Sequence, residues 1–319
     1  MEKISEEFAI QDRDIVTVTE MNHITEIQYL KSKTPVGVCP IKRLNADEYL
    51  VVDTGEVKKY VKSDSRADNS ESLRQTMKRL RYLINNNFTG ARNELFLTLT
   101  YAENMTDSKR LYRDFEVFMK RLKRHFKGKD LKYLAVCEPQ QRGAWHMHVL
   151  IKVKQKNNLF LDFKVIESLW EQGFVSVKRL QKDVNNLGAY LTSYLTDIEI
   201  PDVSENENIG EIKLVEEDGK EVSKRIVKGA RLHFYPPNFN FYRCSRNCKK
   251  PSRRRMKYSS ILKKKLGDKV YEHTVVIVDK SVSLDDEKYE ENYLGKVINR
   301  IKIEVYNSFD KNQLNFEKS

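Results

Sequence analysis

The sequence predicts an α+β fold, and three features predict it. From residue 94 onward, segments with strand and helix periods alternate in the order β-α-β-β-α-β-α. Two of the strands, "LKYLAVCE" and "WHMHVLIKV", are joined by the short "PQQRGA", the mark of an antiparallel hairpin. The intervening helices each carry an apolar stripe, so they lie on one face of a mainly antiparallel sheet.

Taken in order, residues 1–66 read as short β segments, "DIVTVTEMNHITEIQYL" and then "EYLVVDTGEVKKYVK" with a Thr-Gly turn. A helix near 71–84 follows, with Ser70 as N-cap and Leu73, Met77, Leu80, Leu83 and Ile84 on one face. "NNNFTGARN" breaks it, and "ELFLTLTY" (94–101) is a strand. The segment "TDSKRLYRDFEVFMKRLKRHF" is the clearest helix, capped by Thr106 or Asp107. Leu111, Phe115, Phe118, Met119, Leu122 and Phe126 form its apolar face, and Lys120, Arg121, Lys123 and Arg124 a basic one. After the hairpin come a short helix around "FKVIESLWEQ", a strand "FVSVKRL", and a helix opening at Asp183 and running through "NNLGAYLTSYLTD". Trp145 and Trp170 read as core anchors.

The texture changes after Asp197. The chain thus divides into a β-rich N-terminal region (1–66), a central domain (67–200), an acidic hairpin insertion (201–229) and a basic C-terminal region (230–319) that ends in two strand-like runs. Hydrophobic residues make up 39% and charged residues 33%, enough for a real core under a charged surface. A net charge of +12 points to a polyanionic partner, most simply nucleic acid. No apolar run approaches the roughly 18 residues of a membrane span, and no signal-peptide pattern is present, so a soluble, cytoplasmic protein without a membrane partner is expected. Cys39, Cys137, Cys244 and Cys248 are too scattered for a disulfide framework and read as reduced thiols.

The chemistry concentrates in "EPQQRGAWHMHVLI" (138–151). Residues two apart on a strand share a face, so His146 and His148 project together while Trp145, Met147 and Val149 turn to the core. By composition such a pair is expected only about 0.1 times in a chain like this one. The two are either hydrogen-bonded core histidines or ligands of one divalent cation. Glu138 ends the partner strand and can reach the same face. Two histidines and one carboxylate leave coordination positions open, as a catalytic metal needs. Farther on, Tyr190 and Tyr194 stand one helical turn apart, beside a stripe of Leu187, Leu191 and Leu195. Their spacing alone is uninformative among 16 tyrosines. Next to a metal that polarises a phosphodiester, however, such a hydroxyl can attack phosphorus.

A strand "ELFLTLTY", a His-hydrophobic-His strand "RGAWHMHVL" and a tyrosine helix "AYLTSYLTD", in that order, resemble the HUH endonucleases. More narrowly, the chain resembles rolling-circle replication initiators of bacterial plasmids and phages. "HFYPPNFNFYRCSRNCKKP" is similar to a stretch that follows the nuclease domain in such proteins, and the resemblance covers roughly residues 67–256. It implies a ferredoxin-like nuclease core in which His146 and His148 hold Mg2+ or Mn2+, with Glu138 as third ligand. It also implies Tyr190 and Tyr194 as paired nucleophiles acting on single-stranded or cruciform-extruded origin DNA. The products would be a 5′-phosphotyrosine and a free 3′-OH, with a host helicase and polymerase as partners. The family often carries a lysine just before the second tyrosine and another three residues after it. Ser193 and Asp197 stand there instead, which leaves open which tyrosine acts first. Lys178, Arg179 and Lys182 are nearby cations that could substitute.

The stretch 249–265 holds nine Lys or Arg and no acid, which favours phosphate binding over a merely solvated face. Arg243, Arg246, Lys249, Lys250, Arg253, Arg254 and Arg255 are the DNA-binding candidates. Cys244 and Cys248, with His233 upstream, lack a second close pair for zinc. The rival readings are a non-enzymatic basic DNA- or RNA-binding regulator and, within the same chemistry, a relaxase or transposase.

Overall fold

The computed structural model describes residues 8–32, 41–60, 70–140, 142–155, 158–180, 187–193, 198–201, 211–217, 220–227, 232–236, 239–279 and 296–308. The chain forms two compact units, one from Met1–Lys62 with Pro251–Ser319, the other from Ser63–Lys250. The elements begin with β1 (Ile15–Met21), β2 (Ile24–Ser32), β3 (Ile41–Arg43), β4 (Glu48–Val51) and β5 (Val57–Lys59). The second unit holds α1 (Ser70–Asn87), β6 (Glu94–Thr100), α2 (Ser108–His125), β7 (Leu131–Pro139), β8 (Trp145–Val153), α3 (Phe163–Trp170), β9 (Val175–Lys178) and α4 (Leu187–Ser193). It continues with β10 (Ile198–Pro201), β11 (Glu211–Glu217), β12 (Lys220–Val227) and β13 (Tyr242–Cys244). The chain then returns to the first unit with β14 (Ser252–Lys257), β15 (Asp268–Asp279) and β16 (Lys296–Asn307).

The first unit is built on a five-stranded antiparallel sheet in the order β14-β1-β2-β16-β15, so strands from both parts of the chain alternate in it. Val16, Val18, Ile27, Tyr258 and Tyr306 form its core. Buried Glu304 accepts from the hydroxyls of both Tyr258 and Tyr306 at 3.0 and 2.9 Å, which satisfies a carboxylate that would otherwise be costly there. A three-stranded sheet, β3-β4-β5, belongs to the same unit.

The second unit centres on the sheet β13-β7-β8-β6-β9, with every neighbouring pair antiparallel. The predicted α+β fold is the one observed. Central β8 alternates as its sequence demands: Trp145, Met147, Val149, Ile151 and Val153 all face one core. Against that face pack α2, through Leu111, Phe115, Phe118, Met119 and Leu122, and α3, through Ile166 and Trp170. Asp107 is the cap of α2, its carboxylate accepting from the Lys109 amide at 2.8 Å, and Asp162 caps α3 in the same way. The helix layer expected on one face is thus present as α2 and α3. A further cover lies on the opposite face, where Leu80, Ile84 and Phe88 of α1 and Leu187 of α4 bury Leu134, Val136 and Leu150. Those three residues make that face too apolar to leave in water.

Glu94 ties α1 to this sheet. Its fully buried carboxylate accepts the amides of Thr89, Gly90 and Ala91 at 2.9, 2.8 and 3.3 Å and pairs with Lys152 at 2.7 Å. A separate three-stranded sheet, β10-β12-β11, contains the antiparallel β11/β12 hairpin read from the acidic segment. The opening of the last helix at Asp183 lies outside the described residues. No helix among the described residues is long and apolar enough to cross a membrane.

Trp170 locks the α3 layer. Its ring meets Tyr101 at 5.1 Å and Phe118 at 6.0 Å, both edge-on, and its indole N–H donates to the Thr100 carbonyl at 3.1 Å. Trp170→Ala is expected to cost about 3–5 kcal/mol of stability, measured by chemical denaturation, since the void cannot collapse against a sheet.

Candidate metal centre

The β7/β8 pairing sets Glu138 opposite His146 and Val136 opposite His148. The connecting turn holds that register through Gln140 N–H to Ala144 O at 2.7 Å and Gly143 N–H to Gln140 O at 2.8 Å. Gly143 adopts φ 83°, a left-handed conformation that a side chain would strain. The three residues sequence reasoning selected therefore converge. Glu138 Oε2 lies 2.6 Å from His148 Nε2 and 3.4 Å from His146 Nε2, and one donor atom from each of the three falls within 4.8 Å of the others. Among the described residues, this is where three such side chains gather closely enough to hold a metal ion.

The site is nearly dry. The side chains of Glu138, His146 and His148 are 6%, 15% and 23% exposed. Burial pulls both imidazoles down, His146 to about 4 and His148 to about 3, with the neighbouring His146 adding to the depression at His148. Both rings are neutral at physiological pH, the state in which a histidine binds metal. His146 Nε2 is buried and has no hydrogen-bond partner. An orphaned acceptor or donor at that depth costs about 1–3 kcal/mol, and a cation bound there would satisfy it. Two nitrogens and one carboxylate fit a divalent ion and leave positions open for substrate.

Two residues that sequence reasoning did not name orient His148. Thr98 Oγ1 sits 3.2 Å from His148 Nδ1, and the Phe96 ring stacks on the imidazole at 5.3 Å with an 11° interplanar angle. Both lie on β6, where Thr98 pairs with His148 in register. A hydroxyl can donate or accept, so Thr98 suits either tautomer and can hold Nδ1–H while Nε2 faces a metal. The signal was the even-numbered parity of Phe96, Thr98 and Thr100 in "ELFLTLT", though only the inter-strand register shows what they meet.

Tyr190 belongs to α4, which sits on the same face of the sheet as the triad. Leu187, at its start, packs with Leu150 and Val136, two residues from His148 and from Glu138. Gly188 lets α4 approach α1: a Cβ there would fall 2.6 Å from the Arg81 carbonyl oxygen. Asn85 Oδ1 accepts the Gly188 amide at 2.7 Å, satisfying a donor in the first turn of α4. Tyr194, Asp197 and Lys182 lie outside the described residues. Lys178 pairs with Phe96 and so stands on the triad face at the sheet's edge strand, whereas Arg179 is committed to the carbonyls of Arg92 and Leu159.

The basic candidates fall in different places. Arg243 pairs with Ala135, on the α2 side of the sheet and away from the triad. Its guanidinium lies 4.1 Å from the Tyr112 ring centre and 3.7 Å from Glu116. Arg246, Lys249 and Lys250 are exposed in the second unit. The Lys249 main chain is pinned to the end of α1 by Asn86 and Asn87. Arg253, Arg254 and Arg255 line exposed edge strand β14 of the first unit, where Arg254 grips Glu20 with two bonds of 2.8 Å. Cys244 and Cys248 gather no third ligand among the described residues.

Fold and geometry together define an α+β domain with a two-histidine, one-carboxylate centre on its central strands. A family model described as replication-associated protein ORF2 matches residues 94–199, from the first residue of β6 into β10. Glu138, His146, His148, Tyr190 and Tyr194 all fall inside the matched span. The matched family is one of replication initiators. No curated protein and no solved structure gives a match.

Two outcomes are expected. Both histidines are neutral in the folded state and titrate near pH 6.5 when unfolded, so the unfolded chain takes up more protons as pH falls. Metal-free protein therefore loses stability from about pH 6.5 down to about pH 4, and His148→Gln loses less over that window in parallel denaturant melts. Thr98→Val, which keeps shape but removes the hydroxyl, should weaken Mn2+ affinity about ten- to hundredfold by calorimetry.

Proposed function

We propose that this protein is a rolling-circle replication initiator. In this reading it nicks and rejoins single-stranded origin DNA in the cytoplasm through tyrosine. One observation carries the reading: a buried, electrically neutral Glu-His-His centre shares a sheet face with the tyrosine-bearing helix α4, inside the span matched by a replication-initiator family. The orphaned His146 Nε2 weighs against two histidines placed only for packing.

In this reading, Glu138, His146 and His148 hold a divalent ion, Mg2+ or Mn2+. When bound, the ion supplies Lewis-acid polarisation of the scissile phosphate and fixes its position. His148 keeps its orientation through Thr98 and Phe96. The hydroxyl of Tyr190 or Tyr194 attacks phosphorus; the new P–O bond to tyrosine forms as the bond to the 3′-oxygen breaks. The tyrosine proton is lost and the 3′-oxygen gains one, so no water is consumed. The DNA's 5′ side stays on the enzyme as phosphotyrosine, and the 3′-OH is free for a host polymerase behind a host helicase. Because the linkage conserves the phosphodiester's energy, a later 3′-OH reverses the step without ATP. The second tyrosine permits a second cleavage while the first link persists. Lys178, on the triad face, is the cation available to steady the phosphate in place of the family's lysines.

The test is a random single-stranded DNA pool labelled at the 3′ end, incubated with Mn2+ or with EDTA. An SDS-resistant adduct mapping to Tyr190 or Tyr194 is expected with Mn2+ only. Replacing the tyrosine found in the adduct with phenylalanine should reduce adduct formation on the order of a thousandfold. Tight, salt-sensitive binding with no adduct from a sufficiently deep pool would sink the enzyme in favour of a DNA-binding regulator.

A further inference from the structure

The face of the β13-β7-β8-β6-β9 sheet opposite the triad carries a groove with its own recognition chemistry. It runs between α2 and edge strand β13, encloses about 640 Å³, and is lined by Lys120, Lys123, Tyr133, Tyr242, Arg243 and Arg246 among others. Glu116 is the carboxylate that the described lining contributes, against four cations. The volume falls in the range of small-ligand clefts, wide enough for a nucleotide but not for a duplex.

The cations are set on aromatic supports. Arg243 lies flat against Tyr112, whose hydroxyl is anchored on the Asn240 carbonyl at 2.9 Å, and Lys123 Nζ stands 5.8 Å from the Tyr133 ring centre. Tyr133 is braced in turn by Phe115, ring to ring at 5.8 Å. Arg243 Nε is buried and has no hydrogen-bond partner, so the guanidinium retains a donor that the protein leaves unused. Lys120, Lys123 and Arg246 are exposed and free to move onto a phosphate. Rings interleaved with mobile cations along a one-nucleotide-wide channel are what a sequence-tolerant single-strand site requires.

We infer that this groove is a second binding site for single-stranded DNA, separate from the strand held at the metal centre. The separation is topological. Arg243 shares its face with Ala135 and Cys137, whereas Glu138 shares the other with Val136 and Leu134. The five-stranded sheet lies between them, so a phosphate contacted by Lys120 or Arg243 cannot be the scissile one. An initiator that has opened a duplex has two strands to manage, and this fold presents one face to each. The inference rests on the preceding reading only in taking DNA as the polymer.

The experiment uses the full chain in EDTA, with a fluorescent oligothymidylate strand followed by anisotropy across a salt series, so that nicking plays no part. Lys120→Ala/Lys123→Ala, both exposed changes, should weaken binding about tenfold and lower the salt slope by about 1.4, at roughly 0.7 for each phosphate no longer neutralised. A 5-iodouracil-substituted strand should photocrosslink to Tyr133 or Tyr242, identified by peptide mass. Unchanged affinity and slope in the double variant, or crosslinks confined to other peptides, overturn the groove. An absent phosphotyrosine adduct in the Mn2+ assay bears instead on the nicking chemistry and leaves this result standing.

Discussion

The second unit depends on one constraint: the register that places Glu138 across from His146. Strand side chains repeat every two residues, so a slip of one position between β7 and β8 would send both imidazoles toward α2 and bring Trp145 and Met147 out to the other face. The hydrophobic effect thus polices the polar site. Five large apolar side chains on one face of β8 hold His146 and His148 on the other, and the tight turn at Gln140–Gly143 fixes where the strands begin to pair.

The same burial that positions the site also sets its charge. A protonated imidazole in this setting would need compensation beyond the single carboxylate, so the rings remain neutral and present lone pairs. The cost is visible in His146 Nε2, a polar atom left without a partner in a well-packed layer. Elsewhere in the unit buried polar groups are well served: Glu94 receives three amides and a lysine, and Asn85 caps the neighbouring helix. The exception therefore stands out against its own surroundings.

Much of this was legible in the sequence. The period-two pattern of "WHMHVLIKV" gave the face shared by the histidines, and the hairpin connection brought Glu138 near them. The apolar stripe of α2 and its Asp107 cap were equally plain. Those features are local. What escaped were contacts set by non-local pairing. Nothing near Thr98 or Phe96 says that β6 lies against β8 and not β7, and the hold on His148 follows from that choice. Arg243 read as one of a basic series, yet its strand partner Ala135 assigns it to the side facing α2, apart from the metal candidates. Gly188 looked like a blemish in a helix; its meaning is the close approach of Arg81 and Asn85 from α1. The pairing of β1 with β14 likewise has no sequence signature, because strands of that kind carry no label for partners more than two hundred residues away.

That last pairing has a consequence for how the protein is made. Strands β1 and β2 leave the ribosome first, but the neighbours that complete their sheet, β14 and β16, emerge only after all of Ser63–Lys250 has been synthesised. The inserted unit contains every strand of its own central sheet and can fold during translation, while the leading hairpin waits with its edges unpaired. Message truncation within the last third of the chain would therefore strand the nascent hairpin rather than the inserted unit. The polypeptide that carries the metal candidates matures before the sheet that flanks it in sequence on both sides.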